Sequence, residues 1–98
     1  MNIGLTPMHP GEFLRDVVLP GAGLPKTRVA ALLQLSRQSL YDILNERAPV
    51  RARVAMRLGK LFSNSPQFWL NLQAEYDVAI LSEVMRRDLD KILPLDAA

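Results

Sequence analysis

Two sets of residues in this 98-residue chain have side chains that could do chemistry. The first is His9, the only histidine, with Glu12 three residues on. Proton transfer or nucleophilic catalysis there needs a further titratable partner, and the chain has no cysteine and no second histidine to supply one. His9 therefore reads as a structural residue beside the helix-opening Pro10 and Gly11. The remaining carboxylates have no metal-ligand spacing, and GAG at residues 21–23 follows no strand, so it is no phosphate-binding loop. The expectation is no enzyme, no metal and no cofactor. The second set lies in SRQSLYDILN, residues 36–45. At about 100° per residue, Leu40, Ile43 and Leu44 share one face, and Arg37, Gln38, Tyr41, Asp42 and Asn45 fill an arc of about 140° beside them.

The chemistry open to that polar arc is hydrogen-bond readout. Arg37 matches guanine O6 and N7, Gln38 matches adenine N6 and N7, and Asp42 can accept from cytosine N4. Tyr41 can read a base, meet a phosphate or simply pack. Ser36, Ser39 and Asn45 suit phosphate contacts, as do Lys26, Thr27 and Arg51 nearby. Taken singly, each is equally at home as a solvated surface side chain. The charge distribution adds weight: Lys26 to Lys60 holds eight basic residues against two acids, a net +6, while the rest of the chain sums to −4 within an overall +2. A basic middle between acidic ends can draw a polyanion to one region and leave another for a different contact.

Five helical segments must position these residues. Phe13, Leu14, Val17 and Val18 mark the first, with His9 as cap, Pro10 at its first position and Glu12 near its positive end, before PGAGL at residues 20–24 breaks the chain. PKTRVAALLQ follows, its stripe formed by Val29, Leu32 and Leu33. Only Gln34 and Leu35 separate it from Ser36, a good N-cap for the third segment, so the two helices meet at a steep angle. Val54, Leu58, Leu61 and Phe62 mark a fourth. The fifth starts at Ser65 and Pro66 and runs, with a possible break, to about Leu93. Phe68, Trp69, Leu72 and Tyr76 are expected to bury its first half. Its second half carries Ile80, Leu81, Val84, Met85, Leu89 and Ile92 and, on a helix of up to about 40 Å, overreaches its own domain.

Length and composition bound the class. The chain is read as one domain, 1–98, with 49% hydrophobic residues, an ordinary globular content. Without cysteine there is no disulfide or thiolate metal site. No apolar run approaches a membrane span, and MNIGLTPMHPGEF lacks the form of a signal peptide, so the expected location is cytoplasmic, at the nucleoid when DNA-bound.

LPKTRVAALLQLSRQSLYDILN resembles the helix-turn-helix of the phage-repressor-like (XRE/Cro) family. MHPGEFLRDVVLP, SRQSLYDILNERAPV and MRLGKLFSNSPQFWLNLQAEYD resemble, more narrowly, HigA-type antitoxins of the VapI group, over residues 7 to about 80. The resemblance implies an all-α, five-helix phage-repressor-like fold with an extended C-terminal helix. Its helix-turn-helix would fall at about 25–45 and a C-terminal dimerisation region at about 65–93. It further implies a homodimer on double-stranded operator DNA, repression of its own operon, and neutralisation of a HigB-type ribonuclease toxin. Carried across by position, base-reading sites fall on Arg37, Gln38, Tyr41 and Asp42, and phosphate sites on Lys26, Thr27, Ser36, Ser39 and Asn45; Arg51 joins the latter from the residues alone. Dimerisation is expected through Ile80, Leu81, Val84, Met85 and Leu89. The chain departs from the pattern at three places. Gln34 stands where glycine is frequent in the turn and implies a positive φ or a different turn shape. Pro25 replaces a capping serine and removes a backbone donor. Asp42 puts a negative charge on the reading face. The alternatives are a solitary regulator of the same family without a toxin, or a mainly protein-binding module with secondary DNA contact.

Overall fold

The computed structural model describes residues 7–96. The ends of the 1–98 single-domain expectation, and the first six residues of MNIGLTPMHPGEF, lie outside them. The described residues form six helices and no strand. Helix α1 spans residues 10–22 as three consecutive pieces: α-helical Pro10–Phe13, a π-helical turn Leu14–Val18, and α-helical Leu19–Ala22. Then follow α2 (Lys26–Leu33), α3 (Arg37–Leu44), α4 (Ala52–Phe62), α5 (Pro66–Val84) and α6 (Arg86–Asp90).

The N-terminus of α1 follows the sequence closely. His9 caps it, its Nδ1 accepting from the Gly11 N–H at 2.8 Å, with Pro10 at the first position. Burial holds the imidazole below its ordinary pKa, against the pull of Glu46, Asp77 and Glu12. Tyr76 meets the ring edge-on at 4.9 Å between centroids. Gly11 is required by close approach, since a Cβ there would collide with the carbonyl oxygen of Ile43 in α3.

The end of α1 differs from expectation. The helix continues through Pro20 and stops at Gly23, whose φ of 68° is left-handed. The wide turn ahead of it accounts for this: Leu19 N–H bonds the Leu14 carbonyl, five residues back. Pro20 has no N–H, and its ring crowds the carbonyl four residues before it, so a π turn is where the chain can absorb it without ending the helix. The same extra residue shifts the apolar face, which buries Leu14 and Leu19 and leaves Val17 50% exposed.

Leu14, Leu19, Val29, Ala30, Leu33, Leu40, Ile43, Leu44, Val50, Ala55, Leu58 and Trp69 form one continuous core. Trp69 is wholly buried among Phe13, Phe62 and Phe68, and its indole N–H reaches Asn64 Oδ1 at 2.8 Å. Phe68 stays partly exposed at the edge of that cluster, and Leu32 is exposed beside Met56. Gln73 is buried and serves the loop before α4, taking the Val50 N–H at 2.8 Å while donating to Asp77.

Helix α5 ends at Val84 rather than near Leu93. Met85 (φ −96°, ψ 6°) separates it from the five-residue α6. Residues 80–96 are exposed throughout. The radius of gyration is 16.4 Å and the extents are 54 × 26 × 24 Å. A compact chain of this length would have a radius of about 12.6 Å. The excess is the C-terminal arm, projecting from the core. Among the described residues no helix is long and apolar enough to cross a membrane.

Candidate nucleic-acid interface

The turn between α2 and α3 is built from backbone geometry. Gln34 sits at φ 57°, ψ 41°, a non-glycine residue in the left-handed region, as the absent glycine implied. Its N–H bonds the Ala31 carbonyl at 3.1 Å and the Leu35 N–H bonds Ala30 at 2.9 Å, the Schellman pattern that closes a helix C-terminus. Two carbonyls at that end are then met from a distance: Arg57 of α4 donates Nη1 to Leu33 (3.1 Å) and Gln34 (2.6 Å). The cationic guanidinium suits the negative end of α2 and fixes the turn to the following helix.

Helix α3 begins at Ser36, whose Oγ accepts from the Ser39 N–H at 3.0 Å. The Ser36 hydroxyl also donates to Ser39 Oγ at 2.9 Å. Leu40, Ile43 and Leu44 are all buried, as the periodicity predicted, and they anchor the back of the helix. Tyr41 is half-buried against the core, with part of its side chain left to solvent. Arg37, Gln38, Ser39 and Asn45 remain exposed on the front. The far end of α3 is held as the end of α2 is. Arg15 of α1 donates to the Leu44 carbonyl at 2.8 Å, with Glu46 at 3.4 Å. Its hydrogen bond to Asp16 raises the Arg15 pKa above its ordinary value and lowers that of Asp16.

Asp42 is not free on the reading face. Gln38 Nε2 donates to its Oδ1 at 2.7 Å, and Arg47 Nε lies 3.6 Å from the same oxygen. The loop after α3 brings Arg47 there. Glu46 adopts φ 60°, and the N–H groups of Arg47 and Ala48 both bond the Asp42 carbonyl, at 2.7 and 3.1 Å.

Lys26, Thr27 and Arg51 are exposed as well. Lys26 and Thr27 open α2, where Pro25 takes the N-cap position and provides no side-chain cap. Arg51 holds the N-cap position of α4. Of the basic block, Arg57 and Arg47 are thus engaged within the chain, whereas Lys26, Arg28, Arg37, Arg51, Arg53 and Lys60 face solvent without a salt bridge among the described residues. The roles of Arg57 and Arg15 were not foreseen, because contacts across 24 and 29 residues leave no local spacing to read. The residues expected to dimerise, Ile80, Leu81, Val84, Met85 and Leu89, are all exposed along the C-terminal arm, and Ile80 and Leu81 line a cavity shared with Arg47 and Arg51.

No family model matches the chain. Among curated proteins it is 40% identical over 87 residues to virulence-associated protein A′ of Dichelobacter nodosus, covering 88% of this chain and 72% of that one. Virulence-associated protein I of the same organism is 34% identical over 88 residues, covering 90% and 81%. Among solved structures, the Pseudomonas aeruginosa antitoxin HigA with the higBA promoter superposes with a TM-score of 0.85 at 38% identity, covering 91% of this chain and 98% of that one. Identity at that level along nearly the full length of both chains, on the same all-helical fold, places this chain in the HigA-type, VapI-group antitoxin family of helix-turn-helix proteins.

Proposed function

We propose that this chain is the antitoxin of a type II toxin–antitoxin system and represses its own operon by binding operator DNA as a homodimer. One observation carries the DNA-binding reading: α3 buries Leu40, Ile43 and Leu44 completely while its capped N-terminal turn holds Arg37 and Gln38 exposed amid unpaired cations. A helix so held can enter the major groove with its first turn toward the base edges while α2 crosses the backbone. Arg37, Gln38 and Tyr41 then face the bases with Asp42 beside them, and Lys26, Thr27, Ser36, Ser39, Asn45 and Arg51 meet phosphates. The P. aeruginosa relative is described with promoter DNA, which supports the same use of this face.

The exposed apolar row Ile80, Leu81, Val84, Met85 and Leu89 is the homodimer interface in this reading. Two-fold pairing through the arms supplies two α3 helices for two half-sites about 34 Å apart. A second use of the arm, as the seat of a basic HigB-type ribonuclease toxin, is favoured by its exposed apolar stripe from Ile80 to Ile92 and by the net −4 of the residues outside Lys26–Lys60. Repression is tested by fluorescence anisotropy with the duplex upstream of the chain's own coding sequence and a scrambled duplex of equal length. The reading expects the upstream duplex to bind at least about 1,000-fold more tightly at physiological salt; equal affinity for both duplexes contradicts it.

A further inference from the structure

We propose that Asp42 is a positioning residue for Gln38: it holds one amide hydrogen of Gln38 so that the remaining N–H and Oε1 meet a single adenine, and Arg47 offsets its charge. The proposal rests on α3 lying in the major groove as described above. It differs from a direct role in which Asp42 accepts from cytosine.

The pairing is specific about direction. An ionised carboxylate only accepts hydrogen bonds, so an amide facing it must present its nitrogen. The observed bond is Gln38 Nε2 to Asp42 Oδ1 at 2.7 Å, one helical turn apart on the same face. With Nε2 fixed there, the other amide hydrogen and Oε1 are left pointing away from Asp42. That leaves one donor and one acceptor side by side, the complement of adenine N7 and N6; guanine offers two acceptors, O6 and N7, and a fixed Oε1 would repel O6. A glutamine free to turn its amide over loses this selectivity, since either end can then face the groove.

The surroundings explain how a carboxylate can sit on a face meant for a polyanion. Arg47 Nε lies 3.6 Å from the oxygen that Gln38 uses. Arg47 is placed by the backbone rather than by chance packing, because its own N–H closes on the Asp42 carbonyl at 2.7 Å and Glu46 takes a left-handed turn to permit it. The exposed ion pair adds little stability. Its consequence is local: the charge facing the phosphates is that of the pair, and the Asp42 acceptor is kept beside Gln38.

Full-length wild type, Gln38→Ala, Asp42→Asn, Asp42→Glu and the Gln38→Ala/Asp42→Asn double variant are titrated onto the upstream duplex and each of its single-base substitutions, after thermal melting shows that each is folded. An amide at position 42 both accepts and donates, which frees the Gln38 amide to turn over; a glutamate keeps an acceptor within reach. Gln38→Ala and Asp42→Asn are each expected to relax the preference at the same base pair by about tenfold. The double variant is no worse there than Gln38→Ala, and Asp42→Glu retains the preference. The proposal is overturned if Asp42→Asn relaxes a different base pair, leaves every preference intact, or multiplies the Gln38→Ala loss. It also falls if Gln38→Ala changes no base preference. Wild type that binds every duplex equally overturns the operator reading along with it, whereas a discriminating wild type with any of the other results overturns this inference alone.

Discussion

Leu40 and Val84 are both apolar residues on amphipathic helices, yet Leu40 is wholly buried and Val84 is 73% exposed. The region around Leu40 closes on itself. Its helices share one core, and the turn and far end of the helix-turn-helix are tied to other helices, by Arg57 at the turn and Arg15 at the end of α3. The arm around Val84 has the same kind of apolar row, and among the described residues that row stays exposed. A buried stripe specifies a fold; an exposed one of this length marks a surface that awaits a partner. In the proposed function the chain thus separates a presenting half, packed on its own core, from an associating half.

The strongest way to break the first half is to empty its centre. Trp69→Ala removes the ring around which Phe13, Phe62 and Phe68 gather, and should cost about 3 to 5 kcal/mol in urea unfolding monitored by circular dichroism. A loss below about 1 kcal/mol would mean that the core does not centre there. The matching change in the arm should act on association instead. Leu81→Asp with Val84→Asp is expected to leave the helical signal near wild type, to halve the mass in sedimentation, and to weaken upstream-DNA binding about 100-fold through lost bivalency. A variant that unfolds would erase the distinction between the halves.

Within the presenting half, Arg37 and Arg51 sharpen the division between reading and positioning. Arg37→Ala should cost about 1 to 3 kcal/mol, concentrated at one base pair of each half-site. Arg51→Ala should weaken all sequences alike and lower the slope of log affinity against log salt by about 1 per chain. Anisotropy across salt concentrations separates the two patterns.

The smallest effect tests the cap of α1. Burial lowers the folded-state pKa of His9 below its ordinary value of 6.5. The unfolded chain therefore takes up the proton first as pH falls, and the contribution of neutral His9 to stability is present above about 6.5 and lost between there and the lower folded pKa. Protonation also removes the Nδ1 lone pair that accepts from Gly11. The urea midpoint of wild type should drop between pH 7.5 and 5 by more than that of His9→Asn, whose side chain caps without titrating.

What was legible in the sequence was whatever local spacing controls. The buried face of α3, the Ser36 and Ser65 caps and the role of His9 each follow from residues within one helical turn, whereas the positive φ at Gln34 was one of two turn shapes that the family resemblance implied. The pairing of Gln38 with Asp42 was equally open to reading from its i, i+4 spacing, although each residue had been matched to a base by itself. The Arg57 and Arg15 contacts were not legible, because they join residues distant in sequence. The π turn was hidden for another reason: Pro20 and Gly21 ordinarily stop a helix, and only the wide turn before them lets this one continue to Ala22. The arm was read correctly as overreaching the domain, but its break at Met85 carries no proline or glycine to announce it.

In the proposed assembly two chains joined through their arms present two α3 helices to one operator. Sedimentation of the full-length chain with the upstream duplex, repeated with single-base substitutions along it, tests this most directly. Two chains per site are expected, with losses that fall in two symmetric clusters about one helical turn apart. One chain per site, or losses spread evenly along the duplex, would contradict it.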